Sequence, residues 1–399
     1  MKVLLCHTYY QQRGGEDHSY EAESALLESR GDEVLRFTMH NDEIDRRSPW
    51  SLAGGAVWSQ TAYRTVRAIL RRERPSIVHC TNLWPMMSPS VYYAAKAEGI
   101  PLVQSLRNYR LVCVNGFFYR HGGVCEACLD KPVGWPGIVH ACYRDSRAAS
   151  AASVAVAGVH RAIGTWNRAV TLYVTPTEFA RRKFIAAGFP GDRIVSKPNF
   201  IEPAPAPGAG GGGYLMFAGR LSPEKGVRAL LDAWSRVATG WRLKIVGDGP
   251  ERERVIDACQ RDQRIEWLGE QPLGTVLSTM GDAVALVMPT VAYETFGRAI
   301  MEAFAVGTPV VASRSGATPE LVDDRRTGVL FDPGGGSHLA AAIQSLSDRP
   351  SQLVPMRRAA RAEFERRYTG ERNYALLMGI YRRALQPWSE GLAPRAVVP

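Results

Sequence analysis

Short apolar runs alternate with helix-length amphipathic stretches along almost the whole chain. KVLLCH at residues 2–7 reads as a buried first strand, and SYEAESALLESRG after it as a helix ending at Gly31. A strand SIVHC, a helix through SVYYAAKAEG and a strand PLVQSL follow. This strand–helix–strand rhythm predicts parallel sheets covered by helices on both faces. Between residues 203 and 213 the pattern breaks into PAPAPGAGGGG, which cannot hold regular structure and reads as a linker or an exposed domain entry. Beyond it the rhythm restarts with YLMFAGR, a helix VRALLDAWSRV, and LKIVGDG. Another helix, IEWLGE, AVALVMPT, the helix RAIMEAFAVG and VVAS come next, before a mostly helical tail. The expected fold is therefore α/β, with two consecutive Rossmann-like domains over residues 1–200 and 201–374. Ligands of such sheets bind beyond the carboxyl ends of the strands, so the site is expected in a cleft between the two domains.

Length agrees with this division, because 399 residues exceed one ordinary core. A hydrophobic content of 45% with 22% charged residues is that of a globular protein. The first apolar run is too short for a secretory segment. No stretch reaches the roughly 18 consecutive apolar residues of a spanning helix, and a soluble, cytoplasmic protein is expected. The formal charge of +10 is unevenly placed: residues 1–200 hold 25 Lys+Arg against 17 Asp+Glu, a net of +8. Part of the excess lies on YRTVRAILRRER, where Arg64, Arg67, Arg71 and Arg74 fall at helical spacing opposite Val66, Ile69 and Leu70. This is either a solvated helix face or a surface attracted to an anionic acceptor or to the inner face of a membrane. Nucleic acid ranks lower, since no basic-and-aromatic stacking pattern accompanies the charge.

Three segments carry candidate chemistry. Gly14 and Gly15 follow the first strand, where a backbone without Cβ atoms can approach an anion closely. In FAGRLSPEKG, Arg220 and Lys225 flank a Ser-Pro turn after a strand, and two fixed cations suit a diphosphate. In PTVAYETFGRAIMEAF, Glu294 lies in a loop and Thr295, Phe296 and Gly297 lead into a helix containing Glu302. The exposed N–H groups of that helix start attract phosphate, and the two carboxylates can accept hydrogen bonds from sugar hydroxyls on either side. No two Asp residues stand two apart, so no Asp-x-Asp pair is available to hold a divalent ion. Charge stabilisation is expected from Arg220, Lys225 and backbone dipoles without a catalytic metal.

Of the seven cysteines, Cys125 and Cys128 form a Cys-x2-Cys pair, with Cys113 before and Cys142 after. Three readings stand: a structural zinc site of four thiolates, a disulfide or redox pair, or ordinary buried thiols.

GRLSPEKG, GDGP, Glu294-x7-Glu302 with Phe296-Gly297, and GTPVVAS with Glu320 resemble the retaining glycosyltransferases of family 4, which have the GT-B fold. QQRGGED, HNDEID, SPSVYYAA, RNYRLVC, VCEACL, CYRDS and KPN are similar to one cysteine-containing branch of that family. The resemblance implies a metal-independent hexosyltransferase using a nucleotide-sugar donor, a UDP-sugar first, and a hydroxyl-bearing acceptor. It implies that Gly15 lies near the donor phosphate and that Arg220, Lys225 and the amides of Phe296 and Gly297 bind the diphosphate. Glu302 would hold the ribose and Glu294 the donor sugar, with front-face attack assisted by the leaving phosphate. It also implies that residues 375–399 form a last helix returning to the first domain. Relatives usually read His-Asn-Tyr-Arg where this chain has Arg107 to Arg110, and His-Asn where it has Thr81-Asn82. Arginine stays cationic and cannot shuttle a proton, so Arg107 is expected to contact the donor sugar. The same departures motivate the alternative of a non-catalytic nucleotide-sugar sensor or partner subunit. A GT-B-like epimerase or phosphorylase ranks below both.

Overall fold

Every apolar run named above forms a strand, most of them buried on both faces, in a computed structural model. It describes residues 1–46 and 48–386, without the side chains of residues 49 and 50. In chain order the elements begin with β1 (Lys2–Tyr9), α1 (Gly15–Ser29), β2 (Glu33–His40), α2 (Pro49–Val57), α3 (Gln60–Glu73), β3 (Ile77–Cys80), α4 (Ser90–Ala97) and β4 (Leu102–Ser105). A small hairpin of β5 (Tyr119–Arg120) and β6 (Gly123–Val124) follows. Next come α5 (Pro136–Val139), α6 (Arg147–Ala162), α7 (Thr165–Arg168), β7 (Leu172–Thr175), α8 (Glu178–Ala186) and β8 (Ile194–Ser196). After the Pro/Gly stretch come β9 (Tyr214–Ala218), α9 (Val227–Trp234), β10 (Arg242–Val246), α10 (Arg252–Arg261), β11 (Ile265–Gly269), α11 (Leu273–Asp282), β12 (Ala285–Met288) and α12 (Arg298–Ala305). The chain continues through β13 (Val310–Ser313), α13 (Thr318–Leu321), β14 (Gly328–Phe331), α14 (Gly336–Ser347), α15 (Leu353–Arg367) and α16 (Gly370–Leu385).

Two compact units result. One comprises residues 1–116, 126–197 and 374 onward; the other comprises 117–125 and 198–373. The first holds a parallel sheet in the order β2-β1-β3-β4-β7-β8, and the second one in the order β11-β10-β9-β12-β13-β14. The second order is that of a doubly wound dinucleotide-binding sheet. Along β9, Leu215 and Phe217 enter one core while Tyr214 and Met216 enter the other. That alternation is why the run reads as continuously apolar. In the first unit Val3, Leu5, Val103 and Val174 form the core with Leu377, Tyr381 and Ala384 of α16. Residues 387–399, part of the expected last helix, lie outside the described residues.

Two local expectations change. Helix α1 starts at Gly15 rather than Ser19, because the Asp17 carboxylate accepts the Gly14 N–H at 2.9 Å and so caps the turn. The stretch 203–213 lacks regular structure but is no loose tether. Gly208, Gly210 and Gly212 donate backbone hydrogen bonds to Val306, Gly281 and Asp282 at 2.9, 3.1 and 2.9 Å. A Cβ on Gly208 would stand 2.3 Å from the Gly281 carbonyl carbon, so these glycines serve close backbone packing. The hairpin 117–125 groups with the second unit, where the buried Phe118 ring lies 5.9 Å from that of Tyr293. That assignment interrupts the expected 1–200 domain, and no local pattern in the hairpin announces it.

Candidate functional site

In the second sheet β9 and β12 are neighbours, and from this pair the strand order runs outward in opposite directions. Loops that leave the carboxyl ends of such a pair diverge and open a crevice. Here they are residues 219–226 and 289–297, the two segments singled out in the sequence. A backbone bond pins them together, Val291 donating to the Glu224 carbonyl at 3.0 Å, while Leu221 donates to the Asp248 carbonyl after β10 at 2.9 Å. Gly226 has φ of 78°, and a Cβ there would lie 2.0 Å from the Pro289 carbonyl oxygen. Both the left-handed conformation and the close approach require glycine. Gly226→Ala should therefore cost about 1–3 kcal/mol, the range of an overpacked site. Thermal unfolding would show a lowered midpoint, and nucleotide titration a weakened affinity if the loops must part.

The charged side chains meet at this crevice. The Lys225 ammonium lies 2.5 Å from Glu294 Oε1, which also receives the Thr290 hydroxyl at 3.4 Å. Burial disfavours the lysine charge, but the Glu294 carboxylate outweighs it and holds the ammonium above its usual pKa. Arg220 is exposed and forms no ion pair among the described residues. Gly297, with φ of 79°, is the N-cap of α12, whose first N–H groups have no partner within the helix. Phe296 is buried edge-on against Tyr368 at 5.8 Å, which anchors the loop from below, and Thr295 is half-buried beside it. Glu302 is only 9% exposed, and its Oε1 accepts from Arg298 Nη2 at 3.1 Å. One of its oxygens is thus committed to a pair that the sequence reading left out, although the four-residue spacing is visible in it.

In the first unit, Gly14 is extended, with nothing within 4 Å of an added Cβ, and Gly15 opens α1. Their placement rests on groups the sequence reading passed over. Asp17 Oδ1 lies 2.8 Å from His7 Nε2, and His7 Nδ1 lies 2.6 Å from Thr81 Oγ1. All three residues are buried. Thr81 therefore joins the ends of β1 and β3, while Asn82 donates to the Thr8 carbonyl at 2.8 Å.

Arg107 is committed within its own unit. Its side chain is 10% exposed, and its Nη2 lies 2.9 Å from Glu23 Oε2. Lys197 Nζ is 3.1 Å from the same oxygen, and His79 Nδ1 is 3.1 Å from Glu23 Oε1. Burial alone would raise the Glu23 pKa, yet Lys197, His79 and Arg107 hold it down to about 2. Burial lowers the His79 value to about 4, so the ring is neutral at pH 7. Burial also pulls Lys197 below its usual range even beside the shared carboxylate. The donor-sugar role expected for Arg107 must therefore be reconciled with an ion pair already in place.

Two further expectations concern the cysteines and the basic helix. None of the seven cysteines forms a disulfide. Among the described residues no three His, Cys, Asp or Glu side chains are grouped so as to share a metal ion. The basic helix α3 spends part of its charge locally, since Arg67 and Arg71 pair with Glu98 at 2.5 and 2.9 Å. Among the described residues no helix is long and apolar enough to cross a membrane.

Two family models match the chain: a glycosyl transferase 4-like domain over residues 3–199 and the glycosyl transferases group 1 over residues 212–349. A glycogen synthase of Mycobacterium tuberculosis is 35% identical over 153 residues, covering 37% of this chain and 37% of its own. A D-inositol 3-phosphate glycosyltransferase of Segniliparus rotundus is 32% identical over 221 residues, covering 52% and 46%. The chain thus spans less than half the length of these curated relatives. Among solved structures, Anabaena Alr3699/HepE in complex with UDP has a TM-score of 0.67 at 17% identity, covering 96% of this chain and all of that one.

Proposed function

The chain belongs to the family 4 type of glycosyltransferases, with the GT-B fold, and from that premise we propose that it transfers a hexose from a nucleoside diphosphate donor to a hydroxyl acceptor. A UDP-sugar is the favoured donor, with retention of anomeric configuration and without a catalytic metal. One observation carries the proposal most: the Lys225–Glu294 pair sits at the switch point of the second sheet, next to the start of α12. Lys225, Arg220 and the α12 N–H groups would hold the diphosphate and take up the charge that builds on the departing nucleotide. Glu294, already oriented by Lys225 and Thr290, would accept hydroxyls of the donor sugar. The departing phosphate, left close to the acceptor hydroxyl, would receive its proton, so that the protein supplies mainly position and field. Gly14 and Gly15, set by Asp17 and His7, are the first-unit amides proposed for the phosphate. The same reading places the protein in the cytoplasm, with contact to the inner face of a membrane through its basic surface. A structural zinc ion on Cys113, Cys125, Cys128 and Cys142 is a separate proposal, which elemental analysis of the purified protein tests.

The test is a thermal-shift screen of UDP-, GDP- and dTDP-sugars, followed by transfer assays on an acceptor panel with and without a chelator. A cognate donor at about 100 times its Kd stabilises the fold by about 2.7 kcal/mol. A UDP-sugar is expected to give the largest shift, and turnover is expected to survive chelation. No shift from any nucleotide sugar would sink the proposal, and binding without turnover would favour the sensor reading.

A further inference from the structure

A recess opens at the carboxyl edge of the first sheet, wholly within the first unit. Its walls come from the residues after β3 and β4, the first turn of α1 and one side of α6. That is the edge at which doubly wound sheets present their ligands. Most polar groups in the wall are already engaged. Gln104 accepts the Tyr92 hydroxyl at 2.7 Å and donates to the Thr81 carbonyl at 2.6 Å. Asn108 donates to Glu16 at 2.8 Å, while the Tyr10 hydroxyl bonds the other Glu16 oxygen. Arg107 is paired with Glu23.

Arg110, unlike Arg107, has no carboxylate within ion-pair distance among the described residues. Its Nη1 donates to the Tyr143 hydroxyl at 3.3 Å, and its head lies 5.3 Å from the Tyr143 ring and 6.0 Å from that of Trp84. Its Nε is buried and has no hydrogen-bond partner among the described residues. Glu16 acts on it only through space, with both oxygens taken. A buried guanidinium nitrogen without an acceptor is costly, and the cost is removed when a ligand brings the missing oxygen.

The shape of the cation narrows the ligand. With Nη1 on Tyr143, the Nε side of the fork is the part without a partner, and a planar carboxylate matches such an edge with two parallel hydrogen bonds. A phosphate monoester would set a second negative charge beside Glu16 with only one unpaired cation to offset it. Ala56, Pro89, Val156 and Ala157 also line the recess and offer an apolar surface to the C–H face of a ring. We propose that this recess is the acceptor subsite for an acidic sugar, with Arg110 binding the carboxylate of a uronate. Only the word acceptor rests on the glycosyl-transfer reading.

The experiment titrates the full chain, without donor, with methyl β-D-glucuronide, methyl β-D-glucoside and glucose 6-phosphate by calorimetry. The wild type is expected to bind the glucuronide at least tenfold more tightly than either of the others. Arg110→Gln should bring the glucuronide down to the level of the glucoside and leave the glucoside unchanged. Should that variant unfold, Arg110→Lys keeps the charge without the fork and should lose three- to tenfold in glucuronide affinity alone. Equal binding of glucuronide and glucoside by the wild type, no binding of any probe, an undiminished preference in the variants, or tighter binding of glucose 6-phosphate would overturn the proposal. UDP titration and donor hydrolysis test sugar transfer separately, so either conclusion can fail without the other.

Discussion

Replacing Lys225 with methionine should lower kcat/KM for sugar transfer by about 10²–10³-fold, the usual loss when one pre-set electrostatic group is removed. The lysine is 32% exposed and its Glu294 partner 18% exposed, and ion pairs this accessible contribute about 0–1 kcal/mol to folding. Stability should therefore change little, and the loss should fall on chemistry. The division between constants is informative. A cation that grips the diphosphate equally in ground and transition states changes KM alone, whereas one that meets charge building on the leaving group lowers kcat. The latter is expected from the diphosphate role proposed for Lys225, whose ammonium is held charged by Glu294. Lys225→Arg keeps the charge but not the geometry and should recover part of the rate. Steady-state kinetics with a saturating acceptor checks this; a methionine variant within about threefold of wild type would remove Lys225 from the mechanism.

The largest expected effect on stability lies in the other unit. Glu23→Gln should cost about 3–5 kcal/mol, because it leaves Arg107 and Lys197 as buried cations without their shared carboxylate. A fall in the urea midpoint for the transition that exposes the first unit measures it. The wild type should also weaken in acid, in two overlapping stages. His79 is kept neutral, with a pKa of about 4, so between pH 6.5 and 4 only the unfolded chain takes up its proton and stability falls. Glu23 is held at about 2, so its contribution is complete above its unfolded value near 4.5 and is lost as pH falls towards 2. In Glu23→Gln the decline below pH 4.5 should flatten. A wild-type profile that stays level from pH 7 to 3 would contradict the role given to this cluster.

The second-unit site was legible because its chemistry is local. Glu294, Phe296, Gly297 and Glu302 lie within one loop and the helix it feeds, and Arg220 and Lys225 within one turn, so chain spacing alone places them near one strand end. Gly226 and Gly297 also stand at left-handed positions. The first-unit chemistry was not legible, because its members are far apart in the chain. Glu23, His79, Arg107 and Lys197 come from four separate elements or loops, and no spacing in the sequence ties them to one another. Arg107 illustrates the consequence: its motif position suggested a ligand contact, but only the packed sheet reveals the carboxylate beside it. Arg110 and Tyr143, more than thirty residues apart, meet for the same reason.

The amino-acid sequence by itself determined the alternation of buried strands and amphipathic helices, and the two short segments, 219–226 and 289–297, that follow β9 and β12. Both follow from periodicity and short-range spacing, which a strand or a helix start converts directly into position. Tertiary structure alone decided which charges are neutralised and which are left over. That is a matter of distance in space, set by strand order and by helices that carry distant residues to one sheet edge. It gave Glu23 three basic neighbours and left the Nε of Arg110 with none to bond.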